Sequence, residues 1–198
     1  DREGKAVEFD VMLSKDGVAM VIHDETLERT TDGKGRVADV DAVALRLFDA
    51  GTKHHDAFAG ERIPTFAEVL DACQRYGILP NVEIKPAQGV DIATAEAAVE
   101  VVARHWRGDA LPLLSSFSYA ALERVRDIAP HLPRALEVVE IPHDWQAQVS
   151  ALGCIGFHAS AADNDIERLR ECRRHGLQMA IWTVNDARQA QMLFDAGM

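Results

Sequence analysis

Glu8, Phe9 and Asp10 sit inside a run, Ala6–Leu13, that reads as a β-strand. Side chains alternate faces along a strand, so Glu8 and Asp10 point one way while Val7, Phe9 and Val11 point the other. A second run, Leu79–Lys85, repeats the arrangement, with Glu83 and Lys85 on one face and Val82 and Ile84 on the other. Three carboxylates confined near one axis repel strongly unless a cation holds them. A donor set of oxygens without sulfur suits a hard divalent ion, magnesium or calcium. His23 adds a group that exchanges a proton near neutral pH.

The elements that must position these groups follow from the spacing. Only Ser14-Lys15-Asp16-Gly17 separates Ala6–Leu13 from the next strand, Val18–His23. Asp-Gly is a strong hairpin signal, and four residues are too few for a parallel crossover. With the turn near Asp16-Gly17, facing residue numbers sum to about 31 to 33, which sets His23 opposite Glu8 or Asp10. From Leu79 onward, strands alternate with helical patterns, the mark of βα units and a parallel sheet. The remaining strands are expected at Leu111–Phe117, Arg134–Val139, Cys154–His158 and Gln178–Val184. Helices are expected at Val40–Phe48, Thr65–Tyr76, Asp91–Trp106, Tyr119–Ile128, Asp144–Ala151, Asp163–His175 and Asp186–Ala196.

Several helix boundaries carry their own chemistry. Thr65 and Glu68 have the capping-box spacing. Asp163 and Asp186 stand where N-caps belong, and Gly77, Gly176 and Gly197 follow helical runs. No low-complexity or linker composition interrupts residues 1–198, so one domain is expected. Residues 24–64 read as an insertion, of the kind that sits above the C-terminal ends of barrel strands.

Composition narrows the function. The chain has 198 residues, 47% hydrophobic and 27% charged, with a formal net charge of −11. That is ordinary for a globular domain but short for an eight-fold (β/α) barrel of about 250 residues. The acidic balance argues against nucleic acid or an anionic membrane surface as partner. Cys73, Cys154 and Cys172 lack a CxxC or Cys/His pattern and read as reduced thiols. No run of apolar residues is long enough to span a membrane, and no signal-peptide pattern opens the sequence, so a cytoplasmic location is expected.

Taken together, the motifs resemble the glycerophosphodiester phosphodiesterase family. The resemblance rests on Glu8-Phe9-Asp10-Val11, on Ser14-Lys15-Asp16-Gly17, and on the run from His23-Asp24-Glu25-Thr26 to Thr31. Asp49-Ala50-Gly51, Ile63-Pro64-Thr65, Asn81-Val82-Glu83-Ile84-Lys85, Ser116-Phe117 and Trp182-Thr183-Val184-Asn185 extend it across almost the whole chain. The segment from Ala57-Phe58 through Pro64 is similar to the cytoplasmic bacterial branch.

The resemblance implies a (β/α)8 barrel (an α/β TIM barrel) with a hairpin and small insertion. It implies that Glu8, Asp10 and Glu83 bind a divalent metal, Mg2+ or Ca2+, and that His23 is one of two acid/base histidines. Lys85 would touch the phosphate and Trp182 would wall the glycerol pocket. Ser116 and Phe117 carry over too, Phe117 to substrate, with a packed strand end as the alternative. The implied reaction is hydrolysis of glycerophosphodiesters to sn-glycerol 3-phosphate and an alcohol. The family's opening His-Arg-Gly strand, its following helix and its closing strand do not occur in this stretch. The barrel is therefore expected to be incomplete at both ends, and these residues alone are not expected to be a competent enzyme.

Two rivals share the barrel plan: a phospholipase C or D relative, and a non-catalytic binding barrel. The first should carry an apolar or basic docking rim, and the second should have lost a carboxylate or His23; neither holds in this sequence. His54-His55-Asp56 lacks a spaced third ligand. Arg29, with Thr30 and Thr31, reads as a tie between insertion and barrel. His158 divides between pocket lining and structure, and Glu137 between a pocket-facing group and a buried pair.

Overall fold

The computed structural model describes residues 6–198. Seven strands form a single sheet: β1 (Ala6–Leu13), β2 (Ala19–Val21), β3 (Leu79–Ile84), β4 (Leu113–Ser116), β5 (Arg134–Val138), β6 (Gly156–Ser160) and β7 (Gln178–Trp182). Their order is β2-β1-β3-β4-β5-β6-β7, with β1 and β2 antiparallel and every other pair parallel. Helices follow the strands as α1 (Ala42–Leu45), α2 (Phe66–Tyr76), α3 (Asp91–His105), α4 (Tyr119–Ile128), α5 (Trp145–Leu152), α6 (Ile166–Arg174) and α7 (Ala187–Asp195). This is a (β/α) barrel with six parallel strands and one hairpin strand. Among the described residues β7 pairs only with β6, so the sheet does not close.

The outer face of the sheet is apolar and lies under helices. Phe9, Val11, Val82, Ile84 and Leu114 pack with Phe66 and Leu70 of α2, Ala95, Ala98 and Val102 of α3, and Ala121 and Val125 of α4. A second cluster joins Leu136, Phe157 and Ala159 to Trp145, Val149, Leu169 and Cys172. Because period-two alternation sends these residues outward, Glu8, Asp10, Asn81, Glu83, Ser115, Glu137 and His158 are left on the inner face. Register fixes their levels: Glu8 faces Asn81, Asp10 faces Glu83, and Glu83 faces Ser115.

The hairpin forms as its turn chemistry dictates. Gly17 adopts φ 80°, a left-handed conformation that disfavours any side chain. Ser14 Oγ donates to Asp16, and the Asp16 carboxylate accepts the Ala42 backbone N–H at 2.8 Å, tying the turn to the insertion. The pairs Val11–Val21, Met12–Met20 and Leu13–Ala19 give a register sum of 32, inside the expected range. Extrapolated, that register would set His23 opposite Phe9, between the two carboxylates. However, β2 spans only Ala19–Val21 of the expected Val18–His23; its other edge meets Pro64 and Thr65, and the Ile22 N–H still donates to the Asp10 carbonyl at 3.2 Å.

Residues beyond the hairpin hold a small core of their own. Met12, Met20, Ile22, Leu27, Val37, Ala42, Leu45 and Ile63 are buried together. The helix expected at Val40–Phe48 shrinks to α1, preceded by a 3-10 turn at Val37–Asp39. Val43 and Leu47 stay exposed, so a longer helix there would bury no second apolar face.

Caps mostly follow expectation. Thr65 and Glu68 form the reciprocal capping box, and α2 ends on Gly77 at φ 64°. Asp186 accepts two N–H groups at the start of α7. At α6 the cap is Asp165 rather than Asp163: its carboxylate accepts the Arg168 N–H at 2.8 Å. Asp163 instead accepts Ser160 Oγ at 2.5 Å. The three cysteines are buried and unpaired. Burial pushes the Cys154 thiol up to about 11, which keeps it protonated and unreactive.

Candidate active site

Glu8, Asp10, His23, Asn81, Glu83, Lys85, Phe117, Glu137, His158 and Trp182 line one cavity of about 600 Å³ at the strand ends. Every residue expected from the sequence to hold metal, touch substrate or move a proton is among them, whereas Ser116, carried over by the same resemblance, is buried outside the cavity, its Oγ donating to the Ile84 carbonyl.

The carboxylate trio comes from two adjacent strands. One ligand atom each from Glu8, Asp10 and Glu83 lies within 4.8 Å of the others. Asp10 and Glu83 are buried, whereas Glu8 keeps a solvent-facing flank. Burial raises the Glu83 carboxyl far above the usual range, and the neighbouring charges of Glu137 and Asp10 push it the same way. Glu8 is raised by burial, then by Asp10 and Glu137. So dense a set of desolvated acids retains a proton unless a cation replaces it. Three convergent oxygen donors with no sulfur match the donor preference of a hard divalent ion, so the residues fit the group that the sequence suggested.

Lys85 follows Glu83 on the same face, one step beyond β3. Its Nζ lies 3.1 Å from Asp10 Oδ1 and 2.9 Å from His23 Nε2. An ammonium has only donors, so His23 Nε2 accepts. The other ring nitrogen, Nδ1, lies 2.6 Å from Asp24 Oδ1 and donates to it. Arg29 grips Asp24 with Nε at 2.5 Å and Nη2 at 2.6 Å, and this fork holds the Asp24 carboxyl well below the usual carboxylate range. His23 is thereby held with Nδ1 toward Asp24 and Nε2 turned to Lys85 and the cavity. Arg29 was expected to tie insertion to barrel; its side chain in fact braces the orienter of His23.

Phe117 and Trp182 stand across the mouth from each other, edge to face, with ring centroids 6.0 Å apart. They approach from the end of β4 and the end of β7, and their apolar faces narrow the cavity above the polar floor. Neither pairing was legible from periodicity. Asp24 was missed as a positioning group; its only signal was adjacency to a candidate base.

His158 and Glu137 resolve the two open readings together. Both face the cavity, and each is also the other's neighbour, with His158 Nδ1 3.5 Å from Glu137 Oε1. His54 and His55 stay outside the site: His55 Nδ1 accepts the Ala57 N–H and His54 packs against Phe58.

A parallel α/β barrel with a cation-attracting acidic trio, a phosphate-sized cationic group and an oriented histidine belongs to the class of barrel phosphoesterases. The chain matches the glycerophosphoryl diester phosphodiesterase family over residues 2–198. It is 32% identical over 196 residues to a glycerophosphodiester phosphodiesterase of Caldanaerobacter subterraneus subsp. tengcongensis, spanning 97% of this chain and 79% of that protein. A Bacillus subtilis glycerophosphodiester phosphodiesterase is 29% identical over 212 residues, spanning 97% of this chain and 71% of that one. The fold superposes with TM-score 0.95 on an Oleispira antarctica phosphodiesterase solved with the product sn-glycerol-3-phosphate. That match has 36% identity and covers 98% of this chain and 78% of the other. The chain belongs to the glycerophosphoryl diester phosphodiesterase family.

Proposed function

We propose that this chain hydrolyses glycerophosphodiesters to sn-glycerol 3-phosphate and a free alcohol, using a divalent cation, Mg2+ or Ca2+, held by Glu8, Asp10 and Glu83. The observation that carries this reading is the convergence of three carboxylates within 4.8 Å beside Lys85 and an oriented His23. When bound, the cation supplies Lewis-acid polarisation of a phosphoryl oxygen and lowers the pKa of a hydroxyl.

The chain's own residues do the rest. Lys85 directs its ammonium at phosphoryl oxygens, where negative charge grows as the bond to the leaving alcohol breaks. His23 accepts or donates a proton at Nε2, while Asp24 keeps the other proton on Nδ1. Phe117 and Trp182 enclose the apolar edges of the glycerol unit and limit water. Residues 1–198 act as one domain, with 24–64 as its insertion. The acidic surface fits a small-molecule substrate rather than nucleic acid or a membrane, and the reading places the protein in the cytoplasm. Among the described residues no helix is long and apolar enough to cross a membrane.

The intact gene product should release sn-glycerol 3-phosphate from glycerophosphocholine, lose that activity in EDTA, and regain it with Mg2+ or Ca2+. Undiminished turnover in excess chelator would overturn the metal assignment, and no release with any divalent ion would overturn the activity.

A further inference from the structure

Phe117 stands at the cavity mouth with no apolar bed of its own. It is 46% exposed and, among the described residues, joins none of the apolar clusters beneath the helices; its ring meets Trp182 edge to face. A side chain so placed points wherever its backbone points it, so the backbone on either side must be held. Two serine hydroxyls do this. Ser116 Oγ donates to the Ile84 carbonyl at 2.5 Å and accepts the Ser118 N–H at 3.0 Å. Ser118 Oγ donates to Asp91 Oδ1 at 2.6 Å and accepts the Ala121 N–H at 3.2 Å, so it caps α4 and reaches α3 together.

Ile84 and Asp91 bracket the segment that carries Lys85. Ile84 ends β3 immediately before it, and Asp91 opens α3 a short turn later. Within that turn the Val90 N–H donates to the Ala87 carbonyl at 3.2 Å and Gly89 takes φ 84°. The flanks of Phe117 are thus bonded to both ends of the Lys85 segment, and these two cavity-lining residues share one frame. Asp91 serves no cap of its own. Among the described residues no backbone N–H of α3 reaches its carboxylate and no Lys or Arg pairs with it; its one hydrogen bond is to Ser118. A hydroxyl donating to a carboxylate at that distance makes a bond roughly twice as strong as a neutral one.

We propose that Asp91 is a positioning residue: through Ser118 it fixes Phe117 beside Trp182 and at a set distance from Lys85, so that the cavity wall is already in place when a phosphoester binds. This inference rests on the glycerophosphodiesterase reading and deepens it. Asp91 itself touches no substrate. Its effect is on binding, because a wall that is loosely held must be ordered each time the ligand enters.

Steady-state kinetics on glycerophosphocholine with the Mg2+-loaded intact protein test it. Asp91→Ala should raise KM by roughly three- to tenfold, as for one lost hydrogen bond, with kcat within about twofold. Asp91→Asn keeps an oxygen for Ser118 but removes the charge, and should hold KM near the unmodified value. If the acid served only the dipole of α3, the two variants would fail alike. Asp91→Glu keeps the charge but alters the reach to Ser118; it should raise KM too, and serves if the alanine variant does not fold. Phe117→Ala should raise KM, and adding Asp91→Ala to it should raise KM no further, since nothing is left to position. Calorimetry with sn-glycerol 3-phosphate should repeat this pattern without turnover. Additive losses in the double variant, equal losses in Asp91→Asn and Asp91→Ala, or an unchanged KM in both Asp91→Ala and Asp91→Glu would overturn the proposal. A protein that hydrolyses no glycerophosphodiester yet shows the pattern in sn-glycerol 3-phosphate binding would overturn the activity and keep the inference.

Discussion

Nε2 of His23 lies 2.9 Å from Nζ of Lys85, although 62 positions separate the two residues in the chain. The proposed proton-transfer group and the proposed phosphate-binding cation thus share one contact. On the proposed reading, a phosphoryl group entering between them would take the ammonium for itself and leave Nε2 free to work on the proton of the attacking or departing oxygen.

The first expectation concerns that nitrogen. His23→Ala should lower kcat by about 10² or more while KM changes little, since an acid/base group acts in the transition state. Steady-state kinetics on glycerophosphocholine decide it, and near-normal turnover would remove His23 from the chemistry.

Asp24 sets which ring nitrogen of His23 bears the proton. Asp24→Asn presents an amide that can donate to Nδ1, which forces the proton onto Nε2 and inverts the ring's role. Turnover should fall by about 10² or more, with the melting temperature little changed. A variant with full activity would show that the 2.6 Å contact of Asp24 with His23 is only structural.

Removing a trio member separates binding from folding. Glu83→Gln should abolish measurable activity and weaken Mg2+ affinity, yet leave the chelator-treated protein as stable as before or more so. The reason is that Glu83, Glu8 and Asp10 oppose one another's charge when no cation is present. Thermal melts with and without EDTA check this; a large loss of stability in EDTA would contradict it.

The same repulsion has a pH signature. In chelator-treated protein the folded Glu83 holds its proton far above its ordinary value of 4.5, so the folded state binds more protons than the unfolded chain. Stability must then fall as pH rises from about 4.5 toward that raised value. Glu68 works in the opposite window: the Arg46 guanidinium lowers it to about 2, so its contribution is present above 4.5 and is lost on acidification. Melting temperatures of the EDTA-treated protein should decline from pH 5.5 to pH 8.5, and Mg2+ should restore most of the loss at the upper end. A flat profile in EDTA would mean the three acids are not coupled.

Much of this site was legible because period-two alternation is a local rule. Glu8 and Asp10 in β1, and Glu83 with Lys85 after it, show their shared faces in the sequence itself, and the Asp16-Gly17 turn brings His23 back toward them. Phe117 and Trp182 came only through family resemblance, since each stands at a strand end where alternation no longer constrains direction. Asp24 and Arg29 sit in irregular backbone whose contacts have no periodic signature. Glu137 and His158 depend on the mutual register of β5 and β6, which no single strand encodes. The expected strand Val18–His23 was longer than the observed Ala19–Val21, whose outer edge meets Pro64 and Thr65, some forty positions away.

The pairing of β1 with β3 has a consequence for how the molecule assembles. Lys85 and Asp10 meet across 75 positions of chain, and Asp10 and Glu83 close nearly the same loop, with the whole hairpin and insertion inside it. A cation shared by those carboxylates, as proposed, would be a crosslink as well as a reagent. Closing a loop of about 70 residues is entropically unfavourable, and a clip made only in the native state offsets that disadvantage where it is large. On the proposed reading, an ion bound there would also hold the first and second parallel strands together, and its removal should hasten their separation.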